Sequence, residues 1–122
     1  ILLFDPPKKL RKTVMAITTG SESLEESKEP EGTVCTLYRM VATDAEVAEL
    51  ETKLRAGGYG WGHAKQDLFE ALDREFGPKR DRFSELRADE AGLDRLLKEG
   101  AERVRPIAQS TIARVRKAIG VA

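Results

Sequence analysis

The chain has 122 residues, 40% hydrophobic and 34% charged, a composition that indicates a small globular domain and excludes a disordered chain. Its 21 basic and 21 acidic residues cancel. The molecule as a whole therefore has no net field to attract nucleic acid or an anionic membrane, and any such surface requires an uneven distribution of charge.

Counts of a few residue types exclude further classes. Cys35 is the only cysteine and rules out an internal disulfide, which fits a reducing compartment such as the cytoplasm, and His63 is the only histidine, so no cluster has metal-ligand spacing. No apolar run approaches the roughly 20 residues that span a bilayer, so no membrane contact is expected. Because the chain opens at Ile1 without a signal peptide, we expect it to be a piece of a longer protein.

Asp5-Pro6-Pro7 opens the first predicted helix, with Asp5 as N-cap and proline in the first turn. Its inward positions are Leu10, Val14 and Ile17. Its first two turns hold four cations, Lys8, Lys9, Arg11 and Lys12. Cations oppose the helix dipole at this end, so the cluster is either a solvated face or a site for an anion.

Residues 22–32 contain five glutamates against Lys28, together with Pro30 and no apolar period, and are predicted to form a surface loop. A helix is predicted at residues 33–41, where apolar side chains recur at helical spacing. They are Val34, Leu37, Tyr38 and Val41. Cys35 lies off that stripe with no base or oxyanion donor near it in sequence, so it is predicted to be structural.

Thr43 or Asp44 is predicted to open a third helix that stops at Gly57-Gly58. Its inward residues are Val47, Leu50 and Leu54. Residues 57–65 hold four of the ten glycines with the only Trp and the only His, which favours a tight connection between helices. A loop that cradles phosphate is disfavoured because the spacing matches neither the dinucleotide fingerprint nor the P-loop.

From residue 68 to residue 86, apolar side chains share one stripe about 100° wide, which predicts a helix of about six turns. They are Leu68, Phe69, Leu72, Phe76, Phe83 and Leu86. Gly77-Pro78 interrupts the run, and we expect a kink rather than a break because the stripe resumes after it. Lys79 and Arg80 also fall within the stripe, so the helix is expected to leave the main core there or to meet a partner.

A last helix of about seven turns is predicted to end at Gly120, with Pro106 on its solvent side. The apolar stripe opposite comprises Leu93, Leu97, Ala101, Val104, Ala108, Thr111, Ile112, Val115 and Ile119. One flank carries Arg103, Arg114 and Lys117 within about 60° of one another. The other flank carries Lys98, Arg105 and Arg116. These cations are either solvated or bind an anionic partner.

No strand pattern occurs, and the predicted fold is all-α, a bundle of about five helices with long, kinked fourth and fifth helices. No paired carboxylates share an apolar face, and no Ser-His or Cys-His constellation occurs. We therefore predict no catalytic residue, no metal site and no cofactor site within the chain.

Five stretches carry a family resemblance across essentially the whole chain. They are residues 5–12 (DPPKKLRK), 36–38 (TLY), 58–65 (GYGWGHAK), 83–86 (FSEL) and 93–105 (LDRLLKEGAERVR). In order, they resemble the DxPKKIRKK helix, the LxxIY helix, the glycine-rich GxGYGxFK turn, the RYxEL piece and the LDxxLxEGAxKAR helix of bacterial tryptophan–tRNA ligases, which are class I aminoacyl-tRNA synthetases. The last match is the most specific, and the acidic loop, residues 22–31, resembles a longer variant branch of the family.

The resemblance implies that residues 1–20 lead out of a catalytic domain just after its KMSKS loop, and that residues 21–122 form the helical domain that binds the tRNA anticodon. It implies a parent enzyme, a homodimer through its catalytic domain, that attaches tryptophan to tRNA(Trp) using ATP with Mg²⁺. The active-site end is expected to involve Lys8, Lys9, Arg11 and Lys12. The tRNA is expected to contact Arg103, Arg114 and Lys117, and the chain alone is expected to be inactive.

Two alternatives remain open on the sequence. The chain could be the corresponding part of a tyrosine–tRNA ligase, although the glycine-rich turn followed by the EGA helix favours the tryptophan enzyme. It could also be a free-standing helical interaction module whose basic helix binds a protein.

Overall fold

The computed structural model describes residues 1–121, which form five α-helices and no strand. The helices are α1 (Pro7–Met15), α2 (Gly32–Val41), α3 (Asp44–Ala56), α4 (Trp61–Ala88) and α5 (Glu90–Ala118). The all-α prediction is confirmed, and the two longest helices are the last two, as expected. Both continue through their prolines, Pro78 in α4 and Pro106 in α5.

The chain divides into two compact units, one covering Ile1–Arg82 and the other beginning at Phe83. The boundary falls inside α4, two residues after Arg80, close to the position where the sequence predicted that this helix leaves the main core or meets a partner. A continuous helix, and no loop, therefore joins the two units.

The core of the first unit comes from α1, α2, α3 and α4. Its buried side chains are Leu10, Val14, Val34, Cys35, Tyr38, Leu50, Leu54, Ala64, Leu68, Ala71 and Leu72. Most were predicted from helical spacing, because a stripe repeating every three or four residues must face one way. Cys35, Ala64 and Ala71 were not, and each is a small side chain that fits where helices pack closely.

Helix α3 begins and ends as its sequence predicts. The Thr43 hydroxyl accepts from the backbone N–H of Glu46, while the Glu46 carboxylate accepts from the backbone N–H of Thr43 at 2.8 Å, which completes a capping box. Gly57 ends the helix at a φ of +80°, and Gly58 follows at +73°. Residues 57–60, the glycine corner, then turn the chain into α4 in the tight connection that was predicted.

Asp5 is not the N-cap of α1, contrary to the prediction. The N-cap is Pro6, which offers no side-chain hydrogen bond, and Pro7 is the first helical residue. Asp5 lies one residue further out, where its carboxylate reaches Lys9 Nζ at 3.1 Å instead of the backbone N–H groups of the first turn. The acid therefore offsets one of the four cations rather than capping the helix.

The apolar stripe of α5 exists but is not buried, so it does not face the core that its position opposite the predicted solvent side at Pro106 had implied. No residue of α5 is buried within the described chain, and Leu97, Val104 and Ile112 are at least half exposed. Phe83, predicted to lie inward on α4, is also exposed. The second unit contains only the end of α4 and α5, too few elements to enclose a core.

The predicted surface loop is irregular and mostly exposed, with two exceptions. Lys28 and Pro30 are buried. The loop is tied to the helices at its far end, where the Pro30 carbonyl oxygen accepts from Arg39 Nη2 at 2.7 Å, and the same guanidinium pairs with Glu51 at 2.7 Å. The segment is therefore part of the packed first unit and not a tail around it.

Candidate nucleic-acid interface

The exposed cations of α5 form the candidate interface. Arg103, Arg114 and Lys117, here called the Arg103 flank, all have exposed side chains on this one helix. Arg103 Nε donates to the carbonyl oxygen of Glu99 at 3.4 Å, one turn earlier. At 1.5 Å per residue, Arg103 and Lys117 lie about 21 Å apart along the axis. The helix thus holds three charges at fixed spacing on a rigid support.

A second row of cations lies elsewhere on the same helix. Lys98, Arg105 and Arg116, the Arg105 flank, are exposed as well. Helical geometry places this row about 140° around the axis from the first. The two flanks have equal charge and face different directions, which makes each the natural control for the other.

Acidic residues are confined to the first part of α5. Glu102 is the last acidic residue of the sequence, and five cations follow it. They are Arg103, Arg105, Arg114, Arg116 and Lys117. In a chain of zero net charge, the part of α5 after Glu102 is therefore strongly cationic, the uneven distribution that binding to phosphates requires.

The four cations of α1 are exposed as well. Lys9 pairs with Asp5, and Arg11 Nε donates to Gln66 Oε1 on α4 at 3.1 Å. The side chains of Lys8 and Lys12 extend from the helix surface. The α1 cluster belongs to the first unit and the Arg103 flank to the second, so each set is positioned by its own helix.

Polar side chains of the glycine corner and of the start of α4 make contacts that stabilise this turn. The Tyr59 hydroxyl donates to Asp67, and burial together with that carboxylate raises the pKa of Tyr59. The Tyr59 and His63 rings lie 5.1 Å apart, and His63 Nδ1 accepts from the backbone N–H of Gly60 at 3.3 Å. The only histidine of the sequence thus stabilises the start of α4 through its hydrogen bond with Gly60.

Cys35 is buried in the core, with 2% of its surface exposed. Burial raises the pKa of its thiol, which disfavours the thiolate that a nucleophile or metal ligand requires. The structural role predicted for this residue agrees with its surroundings. Across residues 1–121, no three Cys, His, Asp or Glu side chains are grouped to hold a metal ion.

Arg80 is the buried cation that sequence reasoning only partly anticipated. Its Nη1 pairs with Asp73 at 2.9 Å, and its Nη2 donates to the carbonyl oxygen of Leu3 at 3.4 Å. Two features of the sequence indicate this burial: Arg80 falls within the apolar stripe of α4, and it follows Asp73 by seven residues, or about two helical turns. Arg80 thereby fastens the N-terminal segment to α4.

Comparisons with known proteins point to one family, although no protein-family model matches the chain. The tryptophan–tRNA ligase of Rhodopirellula baltica is 38% identical over 120 residues, covering 98% of this chain and 38% of that protein. That of Fusobacterium nucleatum is 33% identical over 121 residues, covering 99% and 37%. The crystal structure of tryptophanyl-tRNA synthetase from Campylobacter jejuni superposes with a TM-score of 0.82 at 29% identity, over 97% of this chain and 38% of that one.

The chain matches the C-terminal portion of tryptophan–tRNA ligases. It spans little more than a third of the length of the two ligases above. A second Campylobacter jejuni synthetase structure, complexed with ADP and tryptophane, matches with the same TM-score of 0.82 over 97% of this chain. Among the residues that the structure describes, no helix is long and apolar enough to cross a membrane.

Proposed function

We propose that this chain is the tRNA-binding C-terminal part of a tryptophan–tRNA ligase and that it binds the anticodon region of tRNA(Trp). The observation that carries the proposal is the Arg103 flank, three exposed cations that follow the last acidic residue of the sequence on one long helix. The match to tryptophan–tRNA ligases supports the family, and the chemistry of this helix supports the surface.

The composition of α5 favours contact with phosphates over reading of bases. Cations on a rigid element suit phosphate oxygens, whereas single-stranded bases are recognised by stacking on aromatic rings and by hydrogen bonds to their edges. Helix α5 contains no Phe, Tyr or Trp. The Arg103 flank therefore positions the tRNA, and reading of the anticodon belongs to other residues.

The complete enzyme in this proposal esterifies tRNA(Trp) with tryptophan, using ATP and Mg²⁺, in a catalytic domain outside this chain. It is a cytoplasmic homodimer. Residues 1–20 lead out of the catalytic domain and residues 21–122 form the anticodon-binding domain. The cations at the active-site end are Lys8, Lys9, Arg11 and Lys12, and the chain itself supplies neither catalytic residues nor a cofactor site.

The test is the affinity of the complete ligase for tRNA(Trp) across a salt series, with Arg103, Arg114 and Lys117 all replaced by Gln. Each lost phosphate contact removes about 0.7 to 0.9 from the slope of log affinity against log salt, so the slope is expected to flatten by about 2 to 3. The affinity for tRNA(Trp) at low salt is expected to fall as well. Folding changes little, because exposed charge substitutions usually stay within about 0.5 kcal/mol.

The matched control replaces the Arg105 flank by Gln, which removes the same charge from the same helix. Loss of binding in the control alone would mean that the tRNA lies on the other flank. Wild-type affinity and slope in both variants would mean that α5 is not the tRNA surface.

A second candidate function is a helical protein-interaction module, and the exposed apolar side chains of α5 favour it. That function predicts no salt-dependent affinity for tRNA(Trp) in any variant. A tyrosine–tRNA ligase is the other alternative. It would be excluded if the complete enzyme charges tRNA with tryptophan but not with tyrosine.

A further inference from the structure

Lys28 is a charged residue that is buried in the first unit, within a loop whose other charged residues are exposed. It is the only cation among residues 22–32, which hold five glutamates, and 1% of its surface is exposed. Lysine is almost never fully buried unless its charge is paired. The acidic loop, residues 22–31, therefore turns its one positive charge inward while its glutamates stay exposed.

The Lys28 ammonium is held by the backbone of its own loop. Its Nζ donates to the carbonyl oxygens of Ser23 and Glu26, both at 2.7 Å, and of Leu24 at 3.2 Å. An ammonium group has three N–H donors, so these three acceptors satisfy all of them. The backbone N–H of Lys28 also donates to the Leu54 carbonyl oxygen at 2.9 Å, which anchors the loop to the end of α3.

The loop that closes around this ammonium lies over the glycine corner. A side chain at Gly57 would overlap the Glu25 carbonyl oxygen, and Leu24 Cδ1 lies 3.2 Å from the position of a Cβ at Gly60. The Glu22 carboxylate accepts from Trp61 Nε1 at 2.9 Å. Both glycines therefore leave room for the loop, and the indole hydrogen bond fixes its near end.

We propose that Lys28 is a tethered cation occupying a primary-ammonium site built from three loop carbonyls, and that this site holds the acidic loop as a strap over the glycine corner. Three carbonyl dipoles aimed at one point repel one another unless a cation lies between them. The buried charge thus sets the conformation of the loop. Removing it opens the strap and uncovers the Trp61 side of the corner.

The test uses the 122-residue chain and a glutamate-specific protease, because four of the five glutamates of the strap, all but Glu29 before Pro30, can serve as cleavage sites. Lys28→Met keeps the apolar stem and removes the charge. Cleavage within residues 22–31 is expected to be at least about tenfold faster in this variant, because hydrogen bonds to a charged group are lost and proteolysis follows the open population. Lys12→Met, an exposed lysine on α1, is the matched control and should be cleaved at the wild-type rate.

Rescue by a free cation separates the ammonium site from general stabilisation. Lys28→Ala removes three methylenes and the ammonium, and leaves a space that propylammonium, which has the same heavy atoms, can fill. Millimolar propylammonium is expected to slow cleavage of this variant, whereas tetramethylammonium, which has the same charge but no N–H donor, is not. Neither ion should protect Lys28→Met, whose side chain fills the space.

Each result decides the proposal. Wild-type resistance of Lys28→Met would overturn it, as would equal protection of Lys28→Ala by both ions, since that would be an effect of ionic strength. If Lys28→Ala is too unstable to digest, its urea midpoint replaces the cleavage rate. A midpoint that propylammonium does not raise above that in tetramethylammonium would also overturn the proposal.

Discussion

Gly57→Ala is expected to destabilise the first unit strongly. Gly57 has a φ of +80° and a ψ of 175°, a region that only glycine adopts readily, where another residue costs about 1–3 kcal/mol. The added methyl group would also overlap the Glu25 carbonyl oxygen, a backbone atom that cannot rotate away. We therefore expect the free energy of unfolding to fall by at least about 3 kcal/mol, the upper end of that strain range.

Gly58→Ala is the matched control. Gly58 has a φ of +73°, but a methyl group there would meet no atom within 4 Å, so only the left-handed backbone contributes, about 1–2 kcal/mol. Urea unfolding followed by the fluorescence of Trp61, the only tryptophan and a residue of the first unit, measures both variants. Equal losses at the two glycines would refute the close approach of the acidic loop to Gly57.

The remaining predictions concern activity, α1 and pH. The 122-residue chain alone is expected to show no tryptophan-dependent ATP–pyrophosphate exchange, and measurable exchange would contradict the prediction that it contains no catalytic residue. In the complete ligase, replacing Lys8 and Lys9 by Gln is expected to slow aminoacylation. Unchanged kinetics at low substrate concentration would mean that these two cations are merely solvated. Arg74, with the backbone and hydroxyl of Thr43, lowers the pKa of Glu46 from 4.5 to about 2. The stability from this carboxylate is therefore fully present above about pH 4.5 and lost as the pH falls towards 2. Glu46→Gln should flatten the urea midpoint against pH in that window, and a profile parallel to wild type would refute this assignment.

Features set by neighbouring residues were predictable from the sequence. The capping box at Thr43 and the stop at Gly57 depend on a few adjacent positions, and both occur as expected. The core stripe through Leu68 and Leu72 was also found, because helical spacing alone decides which side chains share a face. These signals place the helices and most of the core.

Features that depend on the path of an irregular backbone or on distant partners were not predictable in the same way. The charge pattern of the acidic loop indicates solvent exposure, and the burial of Lys28 depends on a backbone path that no local rule specifies. Likewise, the stripe of α5 reports an apolar face without reporting whether anything covers it. For the candidate interface, the sequence predicts which cations share a flank, and the identity of the molecule they contact stays a prediction.

The burial of Cys35 makes the folded chain a protected single-thiol protein. A maleimide reagent can reach this thiol only when the first unit opens, so the rate of labelling measures that opening directly. A second cysteine introduced at an exposed site on α5, such as Gln109, would react selectively in the native state. A spectroscopic probe can therefore be attached to the basic helix without first removing the natural cysteine.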